Sequence, residues 1–499
     1  MNVWHFLVDA AARSTQPDAL RQGRHRLGYG AAATAAAGVA ARLRAHGLRP
    51  GDRVACLMDN GIEHWLAYFA AAAAGATFVS LNTRLAVGEQ RAILAHSDSR
   101  LLLHDAAHRT RAAELAVQTL PVDVDGIAPA DFTPSPAAAD APAQLYYTSG
   151  TTGTPKGVVL THRNVCTHAL AAVAELALSE RDTWAHIAPM FHLADAWATF
   201  AITAVAGTHV FLPHFQARAA LDLLVAERVT ITNLVPTMLN LMVAEADAAG
   251  RPYSLRTMLS GGAPIAPEVV RRILATFGGD YVQTYGMTET SPYLTLSLLT
   301  EELRQLPPER QLHWKCKTGR PFRGVELRVV DEQGRAVAAD GRTVGEIRVR
   351  GATVTPGYWL NPEATAAAFD ADGFLCTGDL ATIDAHGYVD IVDRKKDVIK
   401  TGAESVFSIE VEHVLYQHPA VLECAVFGVP DPLWGERVTA AVVLRPGHAA
   451  TDAELIAFCK DRIAHYKAPK QVRFLAALPR TGSGKITKKA LRDAWGHSA

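Results

Sequence analysis

The sequence predicts an α/β protein: a large N-terminal domain of mostly parallel sheets covered by helices, followed by a small C-terminal α+β domain. Three observations carry this. Through the first hundred residues, strand-length apolar runs alternate with helical ones, the pattern of strand–helix–strand crossovers. At 499 residues, 49% hydrophobic and 20% charged, the chain can bury large cores, and a norm of about 150 residues per domain gives two to four structural units. Beyond the charge run Asp393-Arg394-Lys395-Lys396-Asp397 the pattern changes to helix, strand, strand, helix, strand, a compact unit of about 100 residues.

Taken in order, the Ala-rich run from Ala31 to His46 has high helix propensity and closes at Gly47. Val54 to Met58 reads as a strand, Ile62 to Ala74 as a helix and Thr77 to Leu81 as a second strand. Glu89 to His96 is helical, and Leu101-Leu102-Leu103 is a third strand. His104 and His108 share helical spacing with no cysteine or acid completing a metal set, so a surface helix is expected rather than a zinc site. Pro121 to Ala143, with Pro121, Pro129, Pro134, Pro136 and Pro142, reads as an exposed connection.

That connection feeds Tyr146-Tyr147-Thr148-Ser149-Gly150-Thr151-Thr152-Gly153-Thr154-Pro155-Lys156-Gly157-Val158. Glycines let backbone N–H groups converge on an anion, Ser and Thr add donors, and one lysine adds a positive charge, so the loop suits a polyphosphate. It is not a Walker A loop, because Pro155 stands where that motif requires glycine. A flexible surface loop would explain the small residues but not the lysine between Pro155 and Gly157.

Arg163 to Leu178 is an amphipathic helix. In Ala188-Pro189-Met190-Phe191-His192-Leu193-Ala194-Asp195, residues alone favour a satisfied core histidine at His192. Ser260-Gly261-Gly262-Ala263-Pro264 reads as a strand-to-helix turn with Glu268 in the helix's first turn. Tyr281-Val282-Gln283-Thr284-Tyr285-Gly286-Met287-Thr288-Glu289-Thr290 sets an aromatic, a glycine, a hydroxyl and an acid at a strand end. Tyr285 can stack on a purine, Gly286 admits a flat ligand, and Glu289 can hold Mg²⁺, which needs few protein oxygens when phosphates supply others.

Gly345 to Gly351 alternates as a strand, followed by Gly357-Tyr358-Trp359 and Thr377-Gly378-Asp379. The charge run at 393–397 alone would be a solvated turn. Beyond it come a helix (Ser408 to His418), strands (Leu422 to Val429, Val438 to Leu444), a helix (Asp452 to His465) with a capping box from Thr451 and Glu454, and a strand (Val472 to Leu475). Pro479-Arg480-Thr481-Gly482-Ser483-Gly484-Lys485-Ile486-Thr487 presents a lysine in a glycine loop, by default a surface lysine.

A formal net charge of −1, from 49 basic and 50 acidic residues, gives no electrostatic case for nucleic acid or anionic membrane. Six cysteines without a C-x-x-C pattern read as reduced thiols of a cytoplasmic protein. The N-terminus lacks a basic signal-peptide region, and the Trp65 to Val79 run is shorter than the ~20 residues of a transmembrane span.

The order of these elements resembles the adenylate-forming superfamily of acyl- and aryl-coenzyme A ligases, peptide-synthetase adenylation domains and luciferases, and is most similar to the fatty-acyl and aryl ligase branch. The resemblance spans Tyr146 to Lys485. It implies ATP- and Mg²⁺-dependent conversion of a carboxylic acid to an acyl-adenylate, then capture by coenzyme A. It also implies domains 1–395, binding ATP and the acyl group, and 396–499, mobile and carrying the catalytic lysine. ATP is then bound by Thr148, Ser149, Gly150, Thr151, Thr152, Gly153, Thr154, Lys156, Gly262, Ala263, Pro264, Thr284, Tyr285, Gly286, Met287, Thr288, Asp379 (on the ribose), Arg394 and Lys485. The catalytic set is Lys485, His192 and Glu289, with Glu289 on the metal. His192, Ala194, Gly262 and Gly286 line the acyl pocket, Lys396 is the hinge, and Lys400, Gly402 and Ala403 flank the coenzyme A arm. Ala403 departs from the paired glycines frequent there, which bears on the thiol step. Histidine at 192, where amino-acid-activating relatives typically have aspartate, argues against an amino-acid substrate, and Asp195 would need another geometry to replace it.

The acid expected is a medium- to long-chain fatty acid, with an aryl acid second. A stand-alone enzyme loading a carrier protein is the alternative, a homodimer is compatible, and a non-catalytic nucleotide binder or luciferase-like oxygenase fits less well.

Overall fold

A computed structural model describes residues 1–499 except 129, 131, 136, 149–154, 264, 266, 403, 481–485 and 496–499. The chain forms two compact units, the first built from Met1–Ala263, Pro267–Glu326 and Val349–Leu375, the second mainly from Leu327–Arg348 and Cys376–Ala499.

In the first unit a six-stranded sheet runs in the order Gln118–Pro121, Ser99–His104, Arg53–Leu57, Thr77–Ser80, Pro142–Thr148, Lys156–Thr161. Its pairings are parallel apart from the last, an antiparallel hairpin. The helix Ile62–Ala73 is apolar on nearly all sides and accordingly buried. Its Tyr68 ring lies 4.2 Å from that of Phe78 on the following strand, so the crossover packs onto the strand it leads to. Apolar residues on both faces of these short strands make both faces core, as a parallel sheet requires.

A nine-stranded sheet runs Arg320–Pro321, Tyr293–Leu296, Asp280–Gly286, Thr257–Gly261, Ile231–Leu234, Thr183–His186, Thr208–Phe211, Leu20–Gln22, His25–Leu27, parallel except at its margins. A buried carboxylate pins its middle. Asp182 accepts two bonds from Arg256 (2.7 and 3.1 Å), one from Thr230 Oγ1 (2.8 Å) and one from the Ser179 N–H (2.9 Å).

A four-stranded sheet runs Val325–Val330, Gly345–Gly351, Leu375–Ile383, Val389–Arg394. The core of the second unit is a five-stranded sheet around the long hairpin Val421–Asp431 and Gly435–Leu444. The helix Asp452–Lys460 begins with the expected capping box: Thr451 Oγ1 accepts from the Glu454 N–H (3.2 Å), and the Glu454 carboxylate accepts from the Thr451 N–H (2.8 Å). It ends five residues before His465, where the chain turns into the strand Gln471–Phe474.

The α/β class is borne out. Two local expectations are not. His104 is not on a surface helix: it ends the strand Ser99–His104, is buried, and pairs across to Pro121. An acid does stand beside His108, because Asp105 Oδ1 accepts from both the His108 backbone N–H (2.9 Å) and its Nδ1 (2.7 Å). Nor is the proline-bearing connection simply exposed. Gln118–Pro121 forms a sheet edge, Val122 is buried, and the Ser135 N–H donates to Ala73 O (2.9 Å). Prolines are confined to strand edges and starts, as at Pro121 and Pro142, but are free to pack over the surface of a helix. Among the described residues no helix is long and apolar enough to cross a membrane.

Candidate active site

In the first unit, Thr148 and Lys156 face each other as the last registered pair of the hairpin from Pro142–Thr148 to Lys156–Thr161. Residues Ser149, Gly150, Thr151, Thr152, Gly153 and Thr154 lie outside the described residues. The chain returns to this hairpin at 355–359. Trp359 donates to Gly157 O (2.7 Å), and Val159 donates to Gly357 O (3.1 Å). Gly157 allows this approach, since a Cβ there would lie 3.0 Å from Tyr147 Cζ and 3.3 Å from Trp359 Cβ.

The result is a short chain of polar groups. Lys156 Nζ sits 5.2 Å from the centre of the Tyr358 ring, within cation–π range. The Tyr358 hydroxyl donates to Glu289 Oε1 at 2.9 Å. Glu289 lies in a single helical turn, Thr288–Thr290, and is only 7% exposed; its carbonyl accepts from the Thr355 N–H (2.7 Å). Burial first, then the Glu289 charge and its hydrogen bond, push the Tyr358 hydroxyl well up from its ordinary value. Tyr358 therefore stays a neutral donor and holds the carboxylate in one orientation. A buried, oriented carboxylate fits Mg²⁺, which takes few protein oxygens beside phosphates.

Tyr285, Gly286, Met287 and Thr288 are half-buried at and beyond the end of the strand Asp280–Gly286, and Thr284 is buried. Gly286 also has a packing reason: a Cβ there would fall 1.9 Å from Pro292 O. Gly262 adopts φ +87°, and Ala263 O accepts from Gln283 Nε2 (3.1 Å). Pro264 lies outside the described residues.

His192 is not a buried core histidine. It is half-exposed and caps the helix Leu193–Ala204, with Nδ1 accepting from the Ala194 N–H (3.1 Å). That bond leaves Nδ1 unprotonated and puts the proton of the neutral ring on Nε2. The preceding segment is clamped from the first sheet. Asn60 donates to His186 O and Ala188 O and accepts from the Met190 N–H (2.7 Å); the Tyr68 hydroxyl donates to Met190 O (2.8 Å), and Ser80 Oγ to Phe191 O (2.8 Å). Ala194 O accepts from Asn233 Nδ2 (2.7 Å).

Asp195, by contrast, is fully buried, with its oxygens on His186 Nδ1 (2.5 Å) and Trp184 Nε1 (3.3 Å). It is committed to tying this helix to the strand Thr183–His186.

In the second unit, Asp379 is buried and pairs in register with Arg394, Oδ1 to Nε 3.2 Å. Its N–H donates to Thr377 Oγ1 (3.1 Å). The charge run is more than a solvated turn. Arg394, Lys395 and Lys396 are exposed, but Asp393 is buried and accepts from Ser408 Oγ (3.0 Å), while Asp397 pairs with Arg492 (2.9 Å). Lys400 is exposed, its Nζ 2.7 Å from Ser405 Oγ. Gly402 adopts φ +57°, with the Trp434 ring 3.1 Å from where a Cβ would stand. Ala403 and Lys485 lie outside the described residues.

Gly357-Tyr358-Trp359 stands out in the sequence, but nothing local links Tyr358 to Glu289. Asn60 and Tyr68 were likewise silent, because their partners lie 122–130 residues away.

A family model described as AMP-binding enzyme matches residues 7–359, and one for the AMP-binding enzyme C-terminal domain matches 410–485. The chain is 37% identical over 521 residues to a long-chain-fatty-acid–CoA ligase of Thermus thermophilus, covering 99% of this chain and 96% of the relative. It is 38% identical over 497 residues to a feruloyl-CoA synthase of Amycolatopsis sp, covering 98% of each. Among solved structures, ATP-bound MatB from Rhodopseudomonas palustris superposes with TM-score 0.89 at 30% identity over the full length of both chains. o-Succinylbenzoate CoA synthetase (MenE) from Bacillus subtilis, with its acyl-adenylate intermediate, gives 0.87 at 32% identity, covering 99% of this chain and 98% of that one.

Proposed function

The chain belongs to the AMP-binding enzyme family, and from that premise we propose that it acts as an ATP-dependent, AMP-forming acyl-CoA ligase on an apolar monocarboxylic acid of the medium- to long-chain fatty type. The observation that carries the site reading is the Lys156–Tyr358–Glu289 chain, a cation and a buried, oriented carboxylate beside the hairpin Pro142–Thr148 and Lys156–Thr161.

A carboxylate is already ionised near neutral pH, so the first half-reaction needs no base. Its oxygen attacks the α-phosphorus, the bond to the β-phosphate bridge breaks, and pyrophosphate leaves. The difficulty is bringing an anion to a polyanion, so catalysis is mostly positioning and charge stabilisation. Lys156 and the loop 149–154 bind the β- and γ-phosphates in this reading. Tyr285 stacks on the purine, and Gly262 to Pro264 border it. Asp379 binds the ribose, steadied by Arg394, and Lys485 bridges the substrate carboxylate and the α-phosphate. Bound Mg²⁺, held through Glu289, supplies charge neutralisation on the phosphates. In the second half-reaction the coenzyme A thiol sulfur attacks the acyl carbon and AMP departs. Lys396 is the hinge of a mobile domain 396–499, with Lys400, Gly402 and Ala403 beside the pantetheine arm.

The acid is read from the first turn of the helix Leu193–Ala204. Asp195 is committed to His186 and Trp184, so that turn has no carboxylate to pair with a substrate amine, which argues against an amino acid. Ala194, Gly262 and Gly286 leave the walls small. An aryl acid is the second reading, supported by the 38% identity to a feruloyl-CoA synthase. Cytoplasmic location and a homodimer accompany the ligase reading, and a carrier protein replaces coenzyme A only under the loading alternative.

The test is an ATP- and Mg²⁺-dependent assay on acids from acetate through C6–C16 to benzoate and coumarate, reading pyrophosphate and free thiol separately. Pyrophosphate with thiol loss, maximal on C8–C16 acids, is expected. Pyrophosphate without thiol loss would transfer the enzyme to carrier loading.

A further inference from the structure

Far from the phosphate loop in sequence, three strand ends of the first unit bring together two histidines and two aspartates. Asp59 stands two residues past the strand Arg53–Leu57, Asp105 directly past Ser99–His104, and His214 three past Thr208–Phe211. Each strand runs parallel to a neighbour, so these are carboxyl ends, where α/β sheets bind ligands. We propose that Asp59, His108 and His214, with Asp105 orienting His108, form a binding site for a divalent cation of the zinc class.

The geometry is that of a ligand set with its outer support. Asp105 accepts the His108 Nδ1 proton at 2.7 Å and the His108 backbone N–H at 2.9 Å, while its other oxygen accepts the Asp59 N–H at 2.9 Å. With the ring fixed at Nδ1, the other nitrogen turns toward Asp59, and His108 Nε2 lies 3.8 Å from Asp59 Oδ1. His214 Nε2 approaches the other oxygen of the same carboxylate, at 3.2 Å from Oδ2. Ligand atoms on a tetrahedral zinc, at bonds of ~2.0–2.1 Å, stand about 3.3 Å apart; the His214 contact matches this, and the His108 contact, to the other oxygen, is about 0.5 Å longer. The candidate donor atoms of Asp59, Asp105 and His108 all lie within 4.8 Å of one another, and His214 joins this group from the surface through its contact with Asp59.

A carboxylate behind a histidine fixes its tautomer and raises its basicity, as in metal centres generally. Two imidazoles select a borderline ion over Mg²⁺ or Ca²⁺. The side chains of Asp59, Asp105 and His108 are 16–17% exposed, whereas that of His214 is 71% exposed. Three protein groups leave a fourth position for water. A protonated His108 balancing the two carboxylates is the competing explanation of the same contacts, and the two differ in what zinc does.

The full chain, stripped by chelator and dialysed, is titrated with Zn²⁺ by calorimetry in buffers of different ionisation enthalpy, and with Co²⁺ by visible absorption. The expected result is one equivalent bound with proton release, and d–d bands of tetrahedral intensity. Asp59→Asn and His108→Ala should weaken binding at least about 100-fold, and His214→Ala about tenfold; outer-shell and ligand losses are of this order. His448→Ala, at an exposed turn, is the control and should change nothing. Should Asp59→Asn fold poorly, the exposed His214→Ala variant decides. Absence of binding at 100 µM Zn²⁺ would overturn the proposal, as would one equivalent retained at unchanged affinity in both His108→Ala and His214→Ala.

Discussion

Replacing Tyr358 by phenylalanine removes one oxygen and leaves the ring. The oxygen donates at 2.9 Å to a carboxylate that is 7% exposed, so water can do little to replace it. A hydrogen bond to a charged acceptor is worth about 1.5–3 kcal/mol, and at ~1.4 kcal/mol per decade this is about 10–150-fold. Loss of an outer-shell partner of a metal ligand typically costs about 10–100-fold in affinity or activity, the same range. The ring that Lys156 approaches at 5.2 Å remains. Tyr358→Leu removes that contact too and should cost about a further two- to fivefold, since an exposed cation–π pair is worth ~0.5–1 kcal/mol. Burial and Glu289 keep the hydroxyl protonated, so the Tyr358→Phe effect should be constant from pH 6 to 9. The assay is single-turnover pyrophosphate release at saturating ATP and acid, across a Mg²⁺ series. A Tyr358→Phe enzyme with wild-type rate and wild-type Mg²⁺ midpoint would refute the reasoning, because Glu289 would then need no orientation.

Lys485→Ala should lose about 10²–10³ in adenylate formation while largely retaining thioester formation from supplied acyl-AMP; equal loss in both half-reactions would sink that division. For Asp182, burial raises the carboxyl, but Arg256, Ser179 and Thr230 outweigh it and hold it below the ordinary 3.8. A depressed carboxyl gives stability that is present above its unfolded pKa and lost as pH falls through the folded one. Asp182→Asn should therefore cost about 2–3 kcal/mol in urea unfolding at pH 7, less than a fully buried pair because Arg256 is part-exposed, and the difference should shrink below pH ~4. Gly286→Ala, whose methyl would meet Pro292 O, should lower stability by about 1–3 kcal/mol and weaken ATP binding, read by urea midpoint and nucleotide titration.

Much of the fold was legible because its code is local. The runs at 54–58, 62–74 and 77–81 state strand, helix and strand by composition and length, and the structure differs by a residue at the ends. Thr451 and Glu454 declare a helix start through chemistry spanning three residues. The margins of the nine-stranded sheet and the final helix Lys488–Trp495 went unanticipated. Strands of two to four residues carry too few side chains to show a period, and that helix has one fully buried side chain, Leu491. His104 misled because a four-residue spacing fits a helix equally well when a strand ends at the first histidine. Of the candidate site, the run Tyr285 to Glu289 is visible because one short stretch holds the side chains proposed for it. The site was illegible at Tyr358 and Asn60, whose partners are brought by tertiary structure alone.

The clamp on residues 186–191 has a consequence for re-engineering. The turn that presents His192 is held by Asn60, Tyr68 and Ser80, which belong to another sheet and another crossover. The segment is therefore not a portable cassette. A transplant of 186–200 alone into a relative would arrive without its frame, and its histidine would sit wherever the host's own counterpart of residues 55–80 happened to leave it. Residues 55–80 and 186–200 would have to travel as one inheritance, although more than a hundred residues of chain separate them.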